Sequence, residues 1–187
     1  MRYHPDDKQK THQRILKVAA RRFRAEGLSG VGIANLMADL GLSHGGFYAH
    51  FTDKEALVTA ACQEAFQAQT RQWDKLVTQH PAEPALNPVV SDYLSPHHRD
   101  HPDNGCFAAA LASEMARRDY RSRQAFTSGI KNLLDTLGQL AGPEPQRHKP
   151  EAMLGLMVGS MMLARAVSDP ELSDRLLRTA LEAILKG

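Results

Sequence analysis

The sequence predicts an all-α protein, with an N-terminal three-helix head containing a helix-turn-helix and a larger helical C-terminal body. Three observations lead there. Apolar residues recur at three- and four-residue spacing, with no convincing run of alternating β-branched residues. Two short helical patterns near the front are separated only by Gly41-Leu42-Ser43. At 187 residues, 42% of them apolar, the chain is long enough to bury a sizeable core, and its Pro and Gly content is too ordinary for a collagen-like or disordered protein.

The first helix is expected from about Asp6 to Glu26. It places Ile15, Ala19 and Phe23 on one face and Arg14, Lys17, Arg21 and Arg24 on another, and Gly27 ends it. Ile33, Leu36, Met37 and Leu40 make a second short helix, and Phe47 with Phe51 a third, Ser43 being its expected N-cap. Thr52 and Glu55 form a capping box that opens a long helix to about Gln79. Pro81, Pro84 and Pro88 surround a short helix ending near Leu94, and Ser95 to Asn104 reads as a loop. Helices over about 106–117 and 122–140 follow, then an interruption at Gly142, Pro143 and Pro145. The last two helices, about 151–167 and 170–186, are leucine- and methionine-rich. The first of them lacks a polar face, and Gly155 and Gly159 permit close helix approach. The pair is therefore expected to form a two-fold dimer interface through Gly155, Gly159, Leu163, Leu177, Leu181 and Ile184. The expected division is a helix-turn-helix domain over 1–52, with its helix-turn-helix at about 32–51, and a helical dimerisation domain over 53–187.

Charge is unevenly spread. Residues 1–60, Arg2 included, carry a balance of +3 and the remainder −1, which suits a polyanion partner for the head. The first twenty residues hold seven charged side chains where a secretion signal needs an apolar core, so a cytoplasmic protein is expected. The longest uncharged apolar stretch, 152–164, is shorter than the roughly 18–20 residues of a membrane span, so no membrane association is expected. Two cysteines cannot build a disulfide framework.

The segment Gly41-Leu42-Ser43-His44-Gly45-Gly46-Phe47-Tyr48-Ala49-His50-Phe51-Thr52-Asp53-Lys54-Glu55-Ala56-Leu57 carries the sharpest signal. Each glycine in so short a helix costs roughly 1 kcal/mol, and two adjacent ones, Gly45 and Gly46, call for a compensating close approach to something. With Phe47 and Phe51 turned to the core, His44 and Tyr48 face outward, and Ser43, His44 and Tyr48 are the side chains able to read bases. His50 and Lys54 reach for phosphates, as does Arg14 on the first helix.

The same segment closely resembles the signature of TetR-type (TetR/AcrR) transcriptional regulators, G-x-S-x-G-x-x-Y-x-H-F followed by K-E-x-L, and the resemblance spans roughly residues 8–60. It implies a homodimeric, sequence-specific regulator, a repressor released from a palindromic double-stranded DNA operator by an unknown small-molecule inducer. It also implies that Tyr48 and His50 contact backbone phosphate. Two departures stand out: Gly32 replaces a capping Ser or Thr, and His44 replaces a frequent lysine. A regulator of this kind needs an inducer pocket in its body, for which Phe66, Trp73, Tyr93, Phe107, Met115 and Phe126 are the candidate lining, with Tyr120 and Met157 beside them.

Two alternatives share this scaffold. Cys106, at the start of a helix, is a candidate redox or electrophile sensor, because the helix terminus favours thiolate. His97, His98 and His101 with Cys106 offer metal-ligand chemistry, but without a recognised spacing, so no metal is expected. No catalytic residue is proposed: Gly30-Val31-Gly32 fails as a nucleotide fingerprint, since Asn35 stands at the third glycine position after a helix. No cofactor is expected.

Overall fold

A computed structural model of the chain describes residues 5–142 and 149–186, so Arg2, Pro143 and Pro145 lie outside the described residues. The fold is all-α, and no strand occurs among the described residues. The elements are α1 (Pro5–Gly30), α2 (Ile33–Asp39), a 3-10 helix (His44–Ala49), α3 (Lys54–Gln79), α4 (Leu86–Tyr93), α5 (Pro96–Asp100), a second 3-10 helix (Pro102–Asn104), α6 (Phe107–Met115), α7 (Tyr120–Ala141), α8 (Pro150–Ala166) and α9 (Pro170–Lys186). No helix among them is long and apolar enough to cross a membrane.

The head packs α1, α2 and the first 3-10 helix around Ile15, Phe23, Leu36, Met37 and Phe47, all fully buried. The expected stop at Gly27 is a kink at φ 77°, after which the chain turns helically once more to Gly30. The opened turn leaves the Leu28 N–H to donate to Glu114 of α6 at 3.0 Å, one of several ties between head and body.

The long helix α3 starts in the head and, at 26 residues, runs for about 39 Å into the body. Its cap is Asp53 rather than Thr52: the Asp53 carboxylate accepts from the Ala56 N–H at 2.8 Å, while the Thr52 hydroxyl donates to that carboxylate at 3.2 Å. A carboxylate meets the positive helix end better than a hydroxyl does, and it displaces the expected box. In the body α3 packs closely along α7. A side-chain carbon at Gly129 would stand 2.0 Å from the Phe66 ring, so only glycine lets the two helices meet there.

The region expected as a loop, 95–104, is helical. Ser95 caps α5 by accepting from the His98 N–H at 3.1 Å, and Pro96 and Pro102 each occupy a first turn, where a missing N–H costs nothing. These prolines start helices instead of breaking them. In α4, Pro88 likewise falls in the first turn.

Candidate nucleic-acid interface

The two short helices of the head are joined by Gly41, at φ 70°, a left-handed conformation that the tight turn requires. Gly32 caps α2 without any side-chain bond, as a glycine must. Ser43 caps the following element as expected, its hydroxyl accepting from the Gly46 N–H at 3.2 Å. That element is a 3-10 helix over all six of its residues and not the α-helix expected. Paired glycines weaken α-helical hydrogen bonding, and six residues are too few for cooperative propagation to compensate.

The 3-10 helix has one inward anchor, Phe47, which stacks on Phe51 with centroids 5.5 Å apart. The opposite face points away from the protein. Tyr48 is 59% exposed, an unusual state for an aromatic side chain, and the exposed His44 ring meets it edge-on at 5.8 Å. A side-chain carbon at Gly45 would meet nothing within 4 Å. Packing inside the chain gives no reason for glycine there.

His50 ends this helix, half-buried, and its Nδ1 is buried with no hydrogen-bond partner. Burial, aided by the charges of His12 and Lys8, lowers its pKa from the ordinary histidine value. His12 stacks on Phe51 at 4.6 Å and lies 5.8 Å from the His50 ring. Lys8, Gln9, His12, Ala49 and His50 together bound a notch of about 360 Å³. Lys8 and His12 were not singled out from the sequence, although their four-residue spacing puts both on one face of α1. Lys54 opens α3, its pKa lowered by burial and by Arg118.

The basic stripe of α1 divides in two. Arg14 is exposed, and it shares a shallow surface with Gln9, Lys10, Gln13 and Lys17. Arg21 and Arg24 are latched to the body: the exposed Arg21 donates to the Asp103 carboxylate at 2.7 Å, and the half-buried Arg24 to the Asp103 carbonyl at 2.8 and 2.5 Å. Only the front half of the stripe remains available to an outside partner.

The other candidate residues fall elsewhere. Phe66, Phe107 and Phe126 form an aromatic cluster, Phe66 standing 5.9 Å from Phe107 and 5.5 Å from Phe126. Trp73 and Met115 are closed core. Of the six candidate inducer-lining residues, Tyr93 borders a cleft of about 420 Å³ at the junction of head and body. Cys106 is buried at the N-cap of α6 and its N–H donates to His98 Nε2 at 2.9 Å, whereas Cys62 is ordinary core whose thiol burial pushes up to about 12. The histidine loop does not converge on a metal: His98 uses Nδ1 on the Tyr93 carbonyl, at 2.6 Å, and Nε2 on Cys106, while His97 and His101 stack on each other at 4.5 Å. In the expected interface Gly155 and Leu163 are exposed and Gly159 and Leu181 half-buried. Leu177 and Ile184 are buried within the chain itself, because α9 turns that face onto its own core.

Comparison with known proteins agrees with this geometry. Residues 15–61 match the model for bacterial regulatory proteins of the tetR family. YerO, an uncharacterized HTH-type transcriptional regulator of Bacillus subtilis (strain 168), is 39% identical over 51 residues, which are 27% of this chain and 18% of that protein. A TetR-family transcriptional regulator from Cytophaga hutchinsonii superposes with a TM-score of 0.79 at 20% identity, covering 98% of each chain. The reduced form of NemR from E. coli superposes with a TM-score of 0.76 at 19% identity, covering 95% of this chain and 96% of that one. The head of the chain thus matches the tetR-family model in sequence, and the whole chain shares the fold of TetR-family regulators of known structure.

Proposed function

We propose that the chain acts as a homodimeric, sequence-specific DNA-binding transcriptional regulator in the cytoplasm, a repressor released from its operator by a small molecule. The observation that carries the DNA reading is the outward face of the first 3-10 helix, where Tyr48 stands exposed and Gly45 is open to solvent, beside the notch of His50, His12 and Lys8. In this reading residues 1–52 hold the DNA. Ser43, His44 and the Gly45–Gly46 backbone approach the groove, and Tyr48, His50, Lys54 and Arg14 hold phosphates. Selection of fragments of source genomic DNA by the purified protein at near-physiological salt is expected to return a palindrome. Random fragments that wash off with moderate salt would overturn sequence-specific binding. Tyr48→Phe and His50→Ala are expected to weaken binding to that palindrome without changing the dimer.

Dimerisation has its own support. Ala152, Gly155, Leu156, Gly159, Met162, Leu163 and Ala166 form a continuous stripe along α8, Leu156 being 39% and Leu163 55% exposed, and side-chain carbons at Gly155 and Gly159 would meet nothing inside the chain. An apolar stripe with gaps for close approach fits a second copy related by a two-fold axis. Gly159→Glu is expected to give monomers in sedimentation analysis, and a persistent dimer would place the interface elsewhere.

A thiol-responsive form of this reading rests on Cys106, which caps α6 among the cationic side chains of Arg24 and Arg165. If it holds, Cys106→Ser abolishes release of DNA by oxidant or electrophile, and unchanged release returns Cys106 to packing.

A further inference from the structure

The cleft at the head–body junction has an unusual charge arrangement. Two half-buried arginines hold the segment 98–105, Arg24 of α1, which lines the cleft, and Arg165 of α8, which lines a neighbouring one, and among the described residues neither has a carboxylate partner. Arg24 is held by the Asp103 carbonyl alone, and Arg165 by the carbonyls of His98, at 2.6 Å, and Arg99, at 3.1 Å. The carboxylates close by are already engaged: Asp103 is paired with Arg21 at 2.7 Å and Asp100 with Arg99 at 2.7 Å. Burial pulls both guanidinium pKa values down, and the nearby charges, Asp103 for Arg24 and Asp100 for Arg165, offset it only in part.

Polar groups with spare bonding capacity gather at the same place. Tyr93, only 1% exposed, lines the cleft, and its hydroxyl is buried beside Cys106 without a nitrogen or oxygen partner among the described residues. The amides of Gln69, Gln72 and Asn104 line its walls, and Asp92 is the one carboxylate there among the described residues. At about 420 Å³ the space suits a small molecule. The partly compensated charge of Arg24, the Tyr93 hydroxyl and three amides favour an oxyanion bearing further polar groups over an apolar ligand.

We propose that this cleft is an effector site for a small oxyanion, held by Arg24 and the amides of Gln69, Gln72 and Asn104, and that the ligand acts by drawing Arg24 away from the Asp103 carbonyl. Among the described residues Arg24 is the only contribution of α1 to the wall, so the ligand touches the head directly. A charge-assisted bond to an anion is roughly twice as strong as one between neutral groups, so the ligand competes effectively with a backbone carbonyl for the guanidinium. Among the described residues, losing that bond leaves the exposed Arg21–Asp103 pair as the one polar tie between the side chains of α1 and the segment. The head's setting against the body then changes. This inference rests on the regulator reading for its consequence on DNA and on geometry alone for the site.

The test is calorimetric titration of the full chain with inorganic phosphate and, separately, with succinate, which distinguishes a phosphoryl from a carboxylate effector. At least one probe is expected to bind saturably. Arg24→Gln is expected to weaken it by about tenfold or more, Gln72→Glu to weaken it similarly through an exposed position that does not threaten folding, and Asp92→Asn to tighten it several-fold. Arg71→Gln, which removes an exposed positive charge elsewhere on α3, is expected to leave affinity unchanged. Absence of saturable binding by both probes overturns the site, as does equal affinity in Arg24→Gln and the parent, or weakening by Asp92→Asn. The selected palindromic DNA is then titrated with and without the probe. By linkage the probe and the DNA must weaken each other by the same factor. Binding of the probe with no effect on DNA affinity overturns the proposed action through Arg24. DNA binding without Arg24-dependent uptake of either probe overturns this inference alone, whereas probe uptake by a protein that selects no DNA overturns the regulator reading and leaves the site standing.

Discussion

Two histidines, one in the head and one in the body, show how differently these regions use the same side chain. His98, beneath the cleft, has both ring nitrogens engaged inside the protein, one on the Tyr93 carbonyl and one on the Cys106 N–H. His50, at the end of the head's 3-10 helix, has a buried Nδ1 with no partner and sits beside an open notch. A satisfied buried imidazole holds structure together. An unsatisfied one beside an open notch shared with Lys8 and His12 has no such structural role. The lesson extends beyond histidine, since Tyr48 and Gly45 in the head are also inexplicable by packing, while Phe66 and Gly129 in the body are explained by nothing else.

The comparison is broken most forcefully at Phe47. Its ring is the one buried residue of the 3-10 helix, and Phe47→Ala is expected to destabilise the head by about 3–5 kcal/mol. DNA binding should be lost while most of the helical circular dichroism survives. Retained binding would mean that the recognition face is not held by this anchor.

Acid is expected to act on the body next. Burial lowers the His98 pKa from 6.5 to about 4, so the folded state favours the neutral ring that accepts from Cys106. The resulting stability is present above the unfolded value and is lost as pH falls from 6.5 towards about 4, amounting to something on the order of 3 kcal/mol. Urea unfolding across that range should become pH-insensitive to this extent in His98→Gln, which retains an acceptor that does not titrate.

A smaller effect is expected at the tightest helix contact of the body. Gly129→Ala pushes a methyl into the Phe66 ring, and a loss of about 1–3 kcal/mol in thermal unfolding is expected with DNA affinity nearly unchanged. The gentlest test returns to His50. Burial, His12 and Lys8 hold its pKa down in the free protein, and a DNA phosphate in the notch would favour the protonated ring. DNA affinity should therefore rise several-fold as pH falls through the histidine range, and His50→Ala should flatten that slope in fluorescence anisotropy.

The sequence by itself determined the elements whose cause is local. The periodicity of α1, α3, α7, α8 and α9, the break in helical backbone at Gly27, the turn at Gly41 and the Ser43 cap were all legible, because spacing and backbone freedom act within a few residues, although α1 resumes after Gly27 for one more turn. So was the composition of the recognition segment, whose paired glycines and outward Tyr48 have no local purpose. Tertiary structure alone decided the rest. Whether Pro96 and Pro102 break helices or start them depended on the Ser95 cap and on packing around residues 98–105. Whether a basic stripe on α1 faces outward or latches the body depended on where Asp103 lies, 82 residues away from Arg21. Whether aromatic residues line a pocket or fill a core depended on how closely α3 and α7 meet at Gly129. Burial and charge compensation are properties of neighbours in space, and residues far apart along the chain become such neighbours only when it folds.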